Sequence, residues 1–101
     1  MFETAASIDA DGHCVIAVRG DVDLETSDAL VAAVRRVLSD GSAAEVIVDL
    51  TAVAFLDSSG VRALLRAHGE AVARGGSLSV TGAQGLVADV LRITAVDELL
   101  S

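Results

Sequence analysis

Val53 to Ala73 read VAFLDSSGVRALLRAHGEAVA, an apolar strand joined to an amphipathic helix through Asp57-Ser58-Ser59-Gly60. Asp and Ser are favoured at helix N-caps, where a side-chain oxygen accepts a hydrogen bond from a backbone N–H that the helix leaves unpaired. The spacing therefore predicts a helix that starts at this corner. At ~100° per residue, Val61, Leu64, Leu65, His68 and Val72 fall within one stripe roughly 100° wide, as a core-facing helix requires. On that wheel Ser58 lies about 60° from the stripe centre, and Ser59 roughly 160° away, beside Arg62, Ala63, Arg66 and Glu70. Ser59 is expected to carry the outward hydroxyl, in a regulatory or reactive position. The alternative is that both serines only cap the helix.

Upstream of this corner, Glu45 to Leu50 (EVIVDL) has a continuous apolar centre at Val46, Ile47 and Val48 between polar loops, which reads as a buried strand in mid-sheet. Before it, Leu30, Val31, Val34, Val37 and Leu38 share one helical face, with Thr26 or Ser27 as the expected N-cap and Gly41 as the stop. Gly20-Asp21-Val22-Asp23 leads into that helix, and its composition is that of an ordinary turn. Phe2 to Asp9 and His13 to Val18 flank an Asp11-Gly12 turn and predict a hairpin. Val15 and Ala17 are apolar as well as Cys14, Ile16 and Val18, so the returning strand is expected to be covered on both faces.

Downstream, Gly75-Gly76 ends the corner helix, Ser77 to Thr81 is a further strand, and a last helix opens at Gln84-Gly85 with Leu86, Val87, Val90 and Leu91 apolar. Residues 95–101 are expected to add a turn or short helix. The order strand, strand, helix, strand, helix, strand, helix predicts an α/β fold with a mixed sheet of four to five strands and three to four helices largely on one face. At 101 residues one domain, 1–101, accounts for the chain.

Composition narrows the function classes. Fifteen acids face seven bases, all arginine, for a formal charge of −8, and only two residues are aromatic. Nucleic acid is not an expected partner, because its binding rests on phosphate neutralisation and base stacking. No apolar run approaches the ~20 residues that cross a bilayer. The single cysteine, Cys14, makes no internal disulfide, and no leader pattern is visible, so a soluble cytoplasmic protein is expected.

Enzymatic readings find little support. Nine residues of helix put Ser59 and His68 about 13 Å apart along the axis, too far to share a proton directly. There is no G-x-S-x-G elbow, P-loop or strand-linked G-x-G-x-x-G. Asp21, Asp23 and Asp57 could hold a divalent cation, but loop carboxylates are common without one. Neither a metal nor a cofactor is expected.

Gly20-Asp21-Val22-Asp23, the strand at 46–50, and Phe55-Leu56-Asp57-Ser58-Ser59-Gly60-Val61, in this order and spacing, resemble the STAS domain of bacterial anti-sigma factor antagonists. The resemblance spans nearly the whole chain and implies a non-enzymatic switch. The unphosphorylated antagonist binds an anti-sigma factor with serine kinase activity, which frees a sigma factor. Phosphorylation at the second serine of the corner ends that binding, and a phosphatase restores it. Carried over by position, the phosphorylation site is Ser59, with Ser58 second. The partner-binding set is Asp21, Asp23, Asp57, Ser58, Gly60, Arg62, Ala63 and Arg66, the small side chains allowing close approach. A weak homodimer is compatible with the resemblance. The alternative is a STAS subunit of a lipid-transport or stress-signalling assembly that binds without phosphorylation.

Overall fold

Successive side chains of a strand point to opposite faces of its sheet, and here one face holds the deeply buried strand residues: Cys14, Ile16 and Val18 on one strand, Val46, Val48 and Leu50 on the next, and Leu78 beyond it. The structure is a computed structural model and describes residues 2–41 and 45–94. Its elements run β1 (Phe2–Ile8), β2 (Cys14–Gly20), α1 (Ser27–Ser39), β3 (Glu45–Ala52), α2 (Ser58–Ala73), β4 (Ser77–Thr81) and α3 (Gly85–Ile93), in the order expected. The turn or helix expected over 95–101 lies outside the described residues.

The sheet order is β1-β2-β3-β4. β1 and β2 form an antiparallel hairpin, whereas β2, β3 and β4 run parallel through helical crossovers. At the hairpin tip the Asp9 carboxylate accepts from the backbone N–H groups of Asp11 and His13, both at 2.9 Å, and Gly12 takes φ +86°. β3 lies inside the sheet, as its apolar run predicts.

Leu30, Val31 and Val34 of α1, Leu64, Ala67 and Ala71 of α2, and Val87 and Leu91 of α3 join the buried sheet face in one cluster. Burying each large side chain of this kind contributes about 1.5–3 kcal/mol. All three helices thus cover the same face. On the opposite face Ala17 is exposed and Val15 only half-buried, so β2 is not covered on both sides as its apolar content suggested. The helices meet the sheet on one side only, and Val15 and Ala17 point the other way.

The larger correction concerns α2. Its buried residues are Gly60, Val61, Ala63, Leu64, Ala67 and Ala71, while Leu65 is 37% and Val72 53% exposed. The centre of the buried arc is turned roughly 75° from the one drawn through the largest apolar side chains. The cause is the second helix: α2 packs on α1 as well as on the sheet, and two ion pairs cross that seam, Arg66 to Asp28 and Arg35 to Glu70. Arg35 also holds the Glu70 carboxyl below the usual carboxylate range. Alanines are buried because they let two helices approach closely; Leu65 and Val72 lie on the far side of the arc.

Candidate functional site

The corner before α2 is fixed by its own cap. Asp57, in an extended conformation, accepts from the backbone N–H of Ser59 (2.9 Å) and of Gly60 (3.1 Å) through one carboxylate oxygen. The Val61 N–H bonds the Asp57 carbonyl at 3.0 Å. The cap is thus Asp57 alone, and among the described residues neither serine hydroxyl is engaged in a hydrogen bond. An N-cap of this kind contributes about 1 kcal/mol.

The GDVD loop is stitched to the same corner. Val22 N–H donates to the Phe55 carbonyl (3.0 Å), and Asp57 N–H donates to the Val22 carbonyl (3.3 Å), a short parallel bridge between Val22 and Leu56. Asp23 then turns the chain into α1. Its carboxylate accepts from Glu25 N–H (3.0 Å) and Thr26 N–H (3.2 Å), and the Thr26 hydroxyl accepts from Asp23 N–H (2.9 Å). This is a reciprocal capping arrangement. Thr26 sits at the start of α1 but makes no side-chain cap to it. Asp23 therefore has a structural task, whereas Asp21 is exposed and meets this turn through its backbone carbonyl, which accepts from the Thr26 hydroxyl at 2.8 Å.

The rotation of α2 exchanges the two serines. Ser58 is exposed, and Ser59 is half-buried at the edge of the packed arc. Ser59 is thus not the outermost hydroxyl predicted from the wheel. It lines a cleft of about 180 Å³ between α1 and α2, together with Leu24, Ser27, Asp28, Arg62, Ala63 and Arg66. Arg66 reaches Asp28 across this cleft at 3.2 Å, and Arg62 has no ion pair among the described residues.

Of the residues singled out from sequence, Ser59, Arg62, Ala63 and Arg66 are brought together here. Asp21, Asp23 and Asp57 stand at the neighbouring corner. Gly60 and Ala63, expected on an outward face open to a partner, are instead buried, Ala63 at 1% exposure. Their small size serves internal packing: a Cβ on Gly60 would stand 2.7 Å from Leu56 Cγ and 2.8 Å from the Val22 carbonyl oxygen. Leu24, Ser27 and Asp28 were missed. Leu24 is 77% exposed at the cleft mouth, and Phe55, beside the Val22 bridge, is 41% exposed. An apolar residue directly after GDVD, outside the apolar stripe of α1, was the signal available for Leu24.

His68 is half-buried on α2, and its Nδ1 is buried without a partner among the described residues. A wider open depression of about 450 Å³, lined by Thr51, Ala52, Val53, Ala54, Gln84, Gly85 and Leu86, contains no ionisable side chain. Asp21, Asp23 and Asp57 do not converge as ligands; the one group that does among the described residues is Asp9, Asp11 and His13 at the hairpin tip, with candidate ligand atoms within 4.8 Å of one another. Among the described residues no helix is long and apolar enough to cross a membrane.

Comparison with known proteins gives one family match and three similar solved structures. A family model described as "Mlab, STAS domain" matches residues 6–101. The fold is similar to that of an anti-sigma factor antagonist from Mycobacterium paratuberculosis at 27% identity, with a TM-score of 0.84 over 99% of this chain and 83% of that one. It is also similar to the anti-sigma factor antagonist SpoIIAA in its unphosphorylated form, at 19% identity, TM-score 0.68, covering 96% and 97% of the two chains. The Bacillus cell fate determinant SpoIIAA in its phosphorylated form matches at 19% identity and TM-score 0.70, covering 95% and 86%. The last two likenesses, at their identities, speak to the fold.

Proposed function

Because the chain belongs to the STAS-domain family whose model it matches over residues 6–101, we propose that it is an anti-sigma factor antagonist, a cytoplasmic binding module that docks on an anti-sigma factor and thereby releases a sigma factor. The observation that carries this reading is the Ser59 hydroxyl: unbonded among the described residues, held on a capped and stitched corner, and placed in a cleft between two arginines and an exposed leucine. Nothing about that hydroxyl is needed for the fold, because Asp57 does the capping.

The partner reads as a serine kinase as well. Transfer of the γ-phosphoryl of ATP to Ser59 Oγ forms the phosphate ester, breaks the γ-phosphoanhydride bond, releases ADP and gives up the hydroxyl proton. The product carries close to two negative charges at pH 7. A binding face organised around a neutral hydroxyl then carries a bulky dianion whose burial against a partner costs its hydration, and the complex dissociates; a phosphatase reverses the step. Asp21, Asp57, Ser58, Arg62 and Arg66 form the polar part of this face, with Leu24 and Phe55 as its apolar anchors. Apolar anchors inside a polar rim are the usual anatomy of a protein interface.

A second reading is favoured by the half-buried position of Ser59: a STAS subunit of a lipid-transport or stress-signalling assembly, docked through the same face with no phosphorylation. Affinity purification of the tagged chain from its native cells separates the two. An anti-sigma factor recovered with the chain, and lost from Leu24→Asp, is the expected result. Recovery of a transport ATPase in its place would overturn the first reading in favour of the second.

A further inference from the structure

We propose that a phosphate on Ser59 folds into the cleft between α1 and α2, where Arg62 and Arg66 hold it, and that it draws Arg66 away from Asp28. The inference rests on the reading above only for the existence of the phosphate; where the phosphate goes is argued from this chain's geometry. The start of α2 is a poor seat for it. The N–H groups of Ser59 and Gly60 are already spent on the Asp57 carboxylate, and that of Val61 on the Asp57 carbonyl. A dianion at Ser59 also has the Asp57 carboxylate close by, so it must find its cations elsewhere.

The cleft supplies them. Ser59, Arg62 and Arg66 line it together, and its volume of about 180 Å³ accommodates a phosphoryl group. Ser59 and Arg62 are three residues apart on one helix, and neighbours at that spacing meet. Arg66, two turns further along the helix, lines the same cleft, and helical side chains lean toward the N-terminus, which favours the reach of both guanidinium groups toward the serine. Guanidinium matches phosphate with paired hydrogen bonds. Among the described residues Arg66 is held only by Asp28, whose carboxyl side chain is 87% exposed, at 3.2 Å. A solvent-exposed pair of this kind contributes only about 0–1 kcal/mol, so a phosphate with twice the charge of a carboxylate and a less exposed position displaces it. The released Asp28 then adds its own unpaired charge to the docking face. One phosphoryl transfer thus alters two helices without unfolding either. The charged groups facing the site are Asp28 on α1 and Arg62 and Arg66 on α2, with Asp57 at the corner.

The test installs phosphoserine at position 59 during translation, which requires neither a kinase nor a partner, and follows the phosphorus resonance as a function of pH. The ester is expected to titrate at least about half a unit below the ~6 typical of phosphoserine. Arg66→Gln and Arg62→Gln should each move it back toward that value, whereas Arg35→Gln, at the distal ion pair of the same seam, should not. Asp28→Asn should lower it further by removing the competitor. A titration at or above 6, or a lowered one that ignores both arginine substitutions, would mean the phosphate points into solvent and would overturn the proposal. So would an equal response to Arg35→Gln, which would indicate only a diffuse field. Either failure leaves the switch at Ser59 standing, because partner binding is not measured; loss of the switch would conversely leave the cleft result intact.

Discussion

Ser59→Asp is expected to weaken binding to the anti-sigma factor by about 30- to 100-fold, a cost of roughly 2–3 kcal/mol, while Ser59→Ala binds within a few-fold of the unaltered chain and escapes control by phosphorylation. Ser59 is half-buried before any partner arrives. A docked protein would complete its burial, and a carboxylate taken from water loses hydration that only a matching cation offsets. Arg62 and Arg66 in the same cleft recover part of that loss, which keeps the expected effect to about two orders of magnitude or less. The hydroxyl makes no hydrogen bond within the chain among the described residues, so both variants should melt within a few degrees of the parent. Titration calorimetry together with thermal melts checks both halves. An Asp variant that binds at full strength would remove Ser59 from the interface.

Gly60→Ala should destabilise the fold by about 2 kcal/mol, on the order of 10 °C in melting temperature. The added methyl would stand 2.7 Å from Leu56 Cγ, 2.8 Å from the Val22 carbonyl oxygen and 3.0 Å from Val22 Cγ1. Val22 and Leu56 are 0% and 1% exposed and are joined by the short parallel bridge, so neither can step aside without disturbing the GDVD loop. Gly69→Ala on the same helix is the control. Nothing lies within 4 Å of its added Cβ, so it should stabilise α2 by about 0.5–1 kcal/mol through helix propensity alone. Urea or thermal melts that ranked these two variants the other way round would show that the loop and the corner are not clamped together.

The contrast between these glycines shows where sequence reasoning reached and where it stopped. Turn dipeptides, β-branched runs and helix stops are local signals; Asp11-Gly12 marked the hairpin, Val46 to Val48 the inner strand and Gly75-Gly76 the end of α2, and the order of elements followed from signals of this kind. The packing arc of α2 is not local. A helical wheel drawn through its largest apolar residues assumes one flat contact surface, whereas α2 fills the angle between the sheet and α1, where Ala63, Ala67 and Ala71 fit and Leu65 and Val72 do not. That single rotation moved Ser59 from the outermost position to the edge of a cleft and took Gly60 and Ala63 out of the accessible face. The family resemblance singled out Ser59, Arg62, Ala63 and Arg66, which line one cleft. It could not reveal that Asp28 and Leu24, from the other helix and its approach, complete the cleft. Nor could it reveal that Asp23, singled out as a docking residue, closes a turn through its carboxylate.

The proposed switch depends most on a phosphate at one oxygen breaking a protein complex. Incubation of the purified chain and its anti-sigma factor with ATP, followed by native mass spectrometry and peptide mapping, measures this directly. The expected result is a single phosphate on Ser59 that accumulates as the complex dissociates. A phosphate confined to Ser58 or to any other residue, or a complex that persists with Ser59 fully phosphorylated, would contradict it.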